Sequence, residues 1–354
     1  MRSTGGSSTQ TVTITRRAGG GAKKRPQRKI ATLRNVAALV CVVLVLVYVS
    51  VAVLLRISAE VQSHLIFLHY VRIPFFGNLS DPAELGVRNA RNYDLMQYDG
   101  CPVSTWHILP DTYPDNVTES QAYISALSDG APIVLYLHGN TGTRGTRHRI
   151  EAYQSLTRRG YHVIAFDYRG YGDSQCVPSE RGMMEDALLE WDWIQSHSPH
   201  SPVYIWGHSL GSAAATYLAK EIWARRHTYP KGVVLDAPFT SMVDAASNHP
   251  FAIPYWPIMS VFRYLVLESF HQRFESELRL ISFPFPLLIA HGHSDVIIPF
   301  HLGQRMYETA LEARRRNPYM SKRAYFVDCG RSTHKTNFES GDLQHALDHF
   351  IDRK

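Results

Sequence analysis

The sequence predicts an α/β protein with a mostly parallel sheet covered by helices on both faces, preceded by one N-terminal membrane-spanning helix. Three observations carry this. From residue 91 onward, short apolar runs alternate with stretches of helical periodicity, the pattern of strands joined by crossover helices. Gly207-His208-Ser209-Leu210-Gly211 lies between a strand-like run rich in β-branched and aromatic residues (202–206) and a helix-forming run (212–220). Residues 36–55 carry no charge, and 20 residues at about 1.5 Å each span the ~30 Å hydrocarbon layer of a bilayer.

Taken from the N-terminus, residues 1–35 hold nine Lys/Arg and no Asp or Glu, with too few large apolar groups to fold alone. They read as a basic disordered tail. Subtracting those nine from the net charge of +6 leaves −3 on the rest of the 354 residues, so the folded part has no electrostatic case for binding nucleic acid. Residues 36–56 form the anchor. Six basic residues precede it closely and Arg56 alone follows closely, so the tail is expected in the cytosol and everything after Arg56 across the membrane. A cleaved signal peptide fits less well, because the apolar run is long and its basic lead-in extended. Two sequons, at Asn78 and Asn116, lie on the side this rule makes lumenal and are candidate glycosylation sites. Residues 57–90 form a connector whose apolar stretch, 61–71, suits either an interfacial helix or a helix packed on the domain.

The domain, 91–354, opens with a hairpin (92–98 and 103–109) turning around Asp99-Gly100. Strands are predicted at 133–137, 162–166, 203–206, 233–235, 287–290 and 324–327. Helices are predicted near 146–158, 180–196, 210–226, 302–315 and 341–352. Residues 239–285 interrupt this alternation with aromatics and prolines, and read as a cap over the carboxyl edge of the sheet or as a helical excursion completing the core. With Cys41 in the anchor, Cys101, Cys176 and Cys329 allow at most one disulfide.

Strand, sharp turn and helix with a serine at the apex form a nucleophile elbow, which makes Ser209 the candidate nucleophile of an α/β-hydrolase fold. The order Ser, acid, His then directs attention downstream. Asp295 leaves the carboxyl edge of the sheet after the seventh strand and is favoured as the acid over Asp236, which follows the sixth. His334, between the last strand and the final helix, is the candidate base, while the His208 side chain is expected to face away from the site. The oxyanion hole is expected from the N–H groups of Leu210 and Asn140, so side-chain changes at Asn140 should be mild. Arg144 and Arg147, with His148 and Arg149, follow that loop at a helix start and are candidates to bind a phosphate. A metal site from His291, His293 and Asp295 lacks a further ligand cluster, and neither metal nor cofactor is expected.

His138-Gly139-Asn140, Asp167-Tyr168-Arg169-Gly170-Tyr171-Gly172-Asp173-Ser174, Tyr204-Ile205-Trp206-Gly207-His208-Ser209-Leu210-Gly211 and Val296-Ile297-Ile298-Pro299-Phe300-His301-Leu302-Gly303 resemble the α/β-hydrolase domain-containing protein 12 family. So do Pro178-Ser179-Glu180-Arg181-Gly182, Pro238-Phe239-Thr240 and His249-Pro250-Phe251. The resemblance covers roughly residues 60–352 and departs at Leu235-Asp236-Ala237, where the family tends to have a glutamate-serine pair, and at residues 330–333. It implies a membrane-anchored lysophosphatidylserine and monoacylglycerol lipase of the endoplasmic reticulum, with a lumenal catalytic domain and Ser209, Asp295 and His334 as its triad. Its expected partners are a lipid substrate and the bilayer. The alternatives are a lumenal serine hydrolase acting on thioesters or peptides, and a non-enzymatic protein, which a complete triad disfavours.

Overall fold

A computed structural model describes residues 5–13, 25–114, 117, 119–226 and 228–351. Much of the basic tail, and Asn116, lie outside the described residues. The chain divides into two units, Met1–Val51 and Ala52–Lys354.

In the first unit the helix Arg25–Ile57 begins, starting earlier than the uncharged run itself. Arg, Lys, Gln and Ala are good helix formers, and Pro26 in the first turn costs no intrahelical bond, so the helix extends back into the basic segment. Among the described residues, one helix is long and apolar enough to cross a membrane, Thr32–Ile57. Its Leu39, Leu44 and Leu46 side chains are exposed, as those of a lipid-facing helix would be.

The second unit carries an eight-stranded sheet: β1 Ala90–Met96, β2 Pro102–Ile108, β3 Ile133–Leu137, β4 His162–Phe166, β5 Val203–His208, β6 Gly232–Asp236, β7 Leu287–His291 and β8 Ala324–Asp328. The spatial order is β1-β2-β4-β3-β5-β6-β7-β8. β2 pairs antiparallel with β1 and β4, and all later neighbours are parallel. β3 to β7 are buried along their whole length, as two-sided cover requires. Helices Arg147–Thr157, Glu180–His197, Leu210–Arg226, Phe300–Arg316 and Gly341–Phe350 supply that cover. A short helix, Ser120–Ala126, has too few residues for a readable period and was not expected. A disulfide joins Cys101, just before β2, to Cys176, in the loop after β4.

The connector packs on the domain. Ser58 caps the helix Ala59–Ile66 by accepting from the Val61 N–H, Phe67 is fully buried, and its ring meets Phe274 edge-on at 6.0 Å. The buried Gln62 amide donates to the carbonyls of Leu55 and Ser269 and accepts from the His271 N–H, tying the end of the first helix to residues 269–271. Between β6 and β7 the chain forms short helices, among them Met242–Asn248, Pro250–Ile258 and Met259–Leu265. Phe274, Phe283 and Phe285 of this insertion are buried, whereas Phe251, Trp256 and Tyr264 are exposed, so it both completes the core and presents an outer face.

Candidate active site

The carboxyl ends of β3, β5, β7 and β8 deliver the loops that meet at one edge of the sheet, where a parallel α/β sheet leaves a crevice. At the end of β5 the backbone of Ser209 adopts φ +53°, a left-handed conformation, and its N–H donates to the Asp236 carbonyl at 2.9 Å. The turn is tight enough that a Cβ on Gly207 would lie 2.3 Å from the Gly211 carbonyl oxygen. One on Gly211 would lie 2.0 Å from the Leu137 oxygen. Only glycine fits either place, which is why the elbow needs both.

Ser209 Oγ lies 2.9 Å from His334 Nε2, and His334 Nδ1 lies 2.7 Å from Asp295 Oδ2. The other Asp295 oxygen accepts from the N–H groups of Ile297 and Ile298 at 2.9 and 2.8 Å. Burial alone would raise the Asp295 carboxyl, but hydrogen bonds from His291 and His334 outweigh it and hold the group well below the usual carboxylate range. Burial lowers the His334 imidazole below the ordinary histidine value, against the pull of the Asp295 carboxylate. The residue poised against the serine is therefore a neutral imidazole backed by an ionised carboxylate.

Asp236 is engaged elsewhere: it accepts from His208 Nδ1 at 3.1 Å and from Asn337 Nδ2 at 2.8 Å. His208 does not face away from the site. Its ring lies 5.0 Å from that of His334 and lines the same cavity, because Asp236 draws it under the loop that holds His334. His291 and His293 do not converge. His291 Nε2 lies 2.8 Å from the Ile298 carbonyl, while the exposed His293 pairs with Asp328 and stacks on Phe300. Among the described residues no group of three or more His, Cys, Asp or Glu is arranged to hold a metal.

The loop after β3 lies against the elbow, so a Cβ on Gly139 would sit 3.1 Å from Ser209 Cβ. Among the described residues no acceptor pairs with the N–H of Leu210 or of Asn140. The loop is held from below by Arg149, whose buried guanidinium donates to the carbonyls of Gly139 (2.8 Å), Thr141 (2.6 Å) and Thr143 (2.7 Å). It is held from the side by its own Asn140, whose amide donates to the Ile66 carbonyl at 2.5 Å. The amide oxygen accepts from the Leu68 N–H at 3.0 Å and the Tyr171 hydroxyl at 2.7 Å.

Arg144 and Arg147 do not form the expected phosphate site. Arg144 is fully buried, with Nη1 at 2.6 Å from Asp167 and 2.5 Å from Asp173, and its guanidinium lies over Trp106. Arg147 points into solvent with its side chain 93% exposed, paired with Glu151 one turn along the helix. Neither lines the cavity. Two cations do: Arg149, whose guanidinium is taken up by the loop carbonyls, and Lys335, beside His334, which among the described residues makes no ion pair. His148, also in the wall, is pushed down to about 2 by burial and by the charge of Arg149, so it is neutral there.

The cavity, about 300 Å³, has Ser209 and His334 at its polar end. Leu65, Ile66 and Leu68 of the connector and Phe239, Met242 and Phe270 of the insertion form apolar walls. The connector's contribution was not anticipated. Its apolar pattern is visible, but nothing local says that its partner is the loop after β3. Asn78 is exposed, its side-chain oxygen accepting from the Ser80 N–H.

The family described as serine aminopeptidase, S33, matches residues 130–267. The chain is 38% identical over 308 residues to a lysophosphatidylserine lipase ABHD12 of Rattus norvegicus, covering 86% of this chain and 77% of the relative. It is 37% identical over 310 residues to the protein of that name from Gallus gallus, covering 86% and 81%. With protein ABHD12B of Homo sapiens it shares 34% over 262 residues, covering 73% and 70%. Among solved structures it resembles an alpha-beta hydrolase of Vibrio vulnificus (TM-score 0.60, 18% identity, 82% of this chain and 92% of that one). It also resembles an esterase of Pyrococcus furiosus (TM-score 0.57, 19% identity, 79% and 95%). At these identities the structures bear on the fold alone.

Proposed function

This chain belongs to the ABHD12 family of α/β-hydrolases, and we propose that it is a membrane-anchored serine lipase cleaving the acyl ester of lysophosphatidylserine and of monoacylglycerols. The observation that carries this is the unbroken run of hydrogen-bond distances Ser209–His334–Asp295 at the polar end of an apolar cavity. In the reaction His334 takes the Ser209 proton as the hydroxyl attacks the acyl carbonyl, and Asp295 fixes the imidazole tautomer and stabilises its positive charge. The N–H groups of Leu210 and Asn140 receive the developing oxyanion. The lysolipid or glycerol alcohol leaves with the proton returned by His334, and water then releases the fatty acid by the same route. An acyl chain fits the walls built from Leu65, Leu68, Met242 and Phe270. The phosphate of a lysophospholipid would meet Lys335 at the cavity edge.

The charge asymmetry about residues 36–55 supports a cytosolic N-terminus and a catalytic domain in the lumen of the endoplasmic reticulum, with Asn78 and Asn116 open to glycosylation. A fluorophosphonate probe should label the full-length wild-type protein and not Ser209→Ala. Unlabelled wild-type protein should hydrolyse lysophosphatidylserine and monoacylglycerol and leave acyl-CoA and peptides intact, and prior labelling should abolish that turnover. Labelling that survives in folded Ser209→Ala rejects the nucleophile. Turnover of the thioester or peptide alone rejects the lipase reading while keeping the triad.

A further inference from the structure

The stretch 250–266 is apolar on both of its faces. Inward, Ala252, Tyr255 and Phe262 are buried, with the Tyr255 and Phe262 rings stacked at 3.8 Å. Outward, Ile253, Trp256, Val261 and Leu265 are 49%, 55%, 54% and 51% exposed. A helix lying on a water-facing domain carries polar residues outward, and contiguous exposed apolar surface marks a docking site. Between residues 250 and 266 the only charge is Arg263, and it is occupied by Asp244 at 2.7 Å.

Two further observations identify what covers this face. Phe251 begins the stretch, is partly exposed, and lines the cavity that holds Ser209, so the patch borders the cavity mouth. The same insertion is fastened at Ser269 and His271 by the buried Gln62, which stands five residues beyond Ile57, the last residue of the apolar helix. At about 1.5 Å per helical residue that is under ~10 Å of chain. A surface tethered so close to the end of a membrane-spanning segment has a bilayer within reach.

We propose that the outer face of residues 250–266 is a bilayer-docking surface, with Ile253, Trp256, Val261 and Leu265 entering the acyl boundary and laying the cavity mouth on the leaflet. This deepens the lipase reading and rests on its membrane anchor. An amphipathic tryptophan at the rim of an aliphatic patch is the composition expected where a protein enters the headgroup region.

The test uses the full-length protein in phosphatidylcholine vesicles whose acyl chains carry bromine, which quenches tryptophan by contact. Of the six tryptophans, Trp256 should account for a large share of the quenching, so Trp256→Phe should remove it, and Trp223→Phe should not. Ile253→Asp with Val261→Asp should lower kcat/KM on vesicle-borne lysophosphatidylserine by about tenfold or more, the factor carried by one buried aliphatic side chain. Turnover of a short-chain water-soluble ester by the same variant should be unchanged. Quenching that is the same in wild type and Trp256→Phe overturns the proposal. If, in addition, the aspartate variant turns a solubilised dimer into a monomer, the occupant is a second copy of this chain. Wild-type protein quenched through Trp256 but inactive on every lysophospholipid would overturn the lipase reading and leave the docking surface standing.

Discussion

Replacing Asn140 tests whether the connector is part of the catalytic apparatus. As a main-chain donor, Asn140 would tolerate a change of side chain. The structure argues otherwise, because its amide joins the loop after β3 to Ile66, Leu68 and Tyr171 at once. Asn140→Ala leaves a carbonyl, an N–H and a hydroxyl without their partner, and Ile66 and Tyr171 are buried. An orphaned buried group costs about 1–3 kcal/mol, and water entering from the cavity recovers part of it, so the net loss should be about 2–5 kcal/mol. For a body of this size that lowers Tm by roughly 3–8 °C. A full oxyanion donor is worth about 10²–10³ in kcat, so a loop released but not removed should lose roughly 10- to 100-fold.

Asn140→Asp separates the two roles. It can still accept from Leu68 and Tyr171, so stability should fall less than in the alanine variant. However, a carboxylate in that loop opposes the oxyanion's negative charge: were the separation ~5 Å at an effective dielectric of about 20, the cost would be ~3 kcal/mol, roughly a further 100-fold in rate. The assays are thermal unfolding in detergent and kcat on a soluble ester, with the extent of fluorophosphonate labelling as the measure of folded sites. An alanine variant with wild-type Tm and kcat would refute the reasoning, and so would an aspartate variant that outruns it.

Arg144→Ala should destabilise the fold by about 3–5 kcal/mol, because it strands Asp167 as a buried charge, and should depress charged and neutral lipids alike. Lys335→Ala should instead lower kcat/KM for lysophosphatidylserine about tenfold more than for monoacylglycerol; equal ratios in side-by-side kinetics would exclude Lys335 as the phosphate partner. Catalysis needs neutral His334, whose pKa burial lowers, so activity should be held as pH falls and drop only below the ordinary histidine value of 6.5. A pH–rate midpoint at or above 7 contradicts this. Burial pushes the Glu190 carboxyl up to about 8, with Thr105 hydrogen-bonded to one oxygen and the other without a partner among the described residues. The folded state keeps that proton to about pH 8 and the unfolded chain loses it near 4.5, so folding takes up a proton in between. This contribution is complete below pH 4.5 and is lost as pH rises through 8, by at most about 5 kcal/mol. Glu190→Gln should flatten that slope in urea titrations run from pH 5 to 9; an unchanged slope would assign it to other groups.

What the sequence made legible, and what it hid, divides along a physical line. Strands β3 to β7 are continuous apolar runs because both faces are covered, and the elbow is readable because backbone crowding leaves only glycine at 207 and 211. Such demands act within a few residues, so they leave a local trace. Asp236 and Asp295 show the limit: both leave the carboxyl edge of a strand, and only the fold assigns one to His208 and Asn337 and the other to His334. Arg144 shows it again, since Asp167 and Asp173, which occupy its guanidinium, lie more than twenty residues away across another crossover. Polar pairs across the fold have no period to betray them. Gln62 reaches Ser269 across 207 residues and Asn140 reaches Ile66 across 74, and these are the bonds that make the connector a wall of the cavity holding Ser209. An apolar pattern in 61–71 says only that the segment must be covered; the two buried amides decide by what. The same logic predicts that the first helix cannot be exchanged for another apolar helix cut before residue 62: its last turn, through the Leu55 carbonyl, is already part of that amide network.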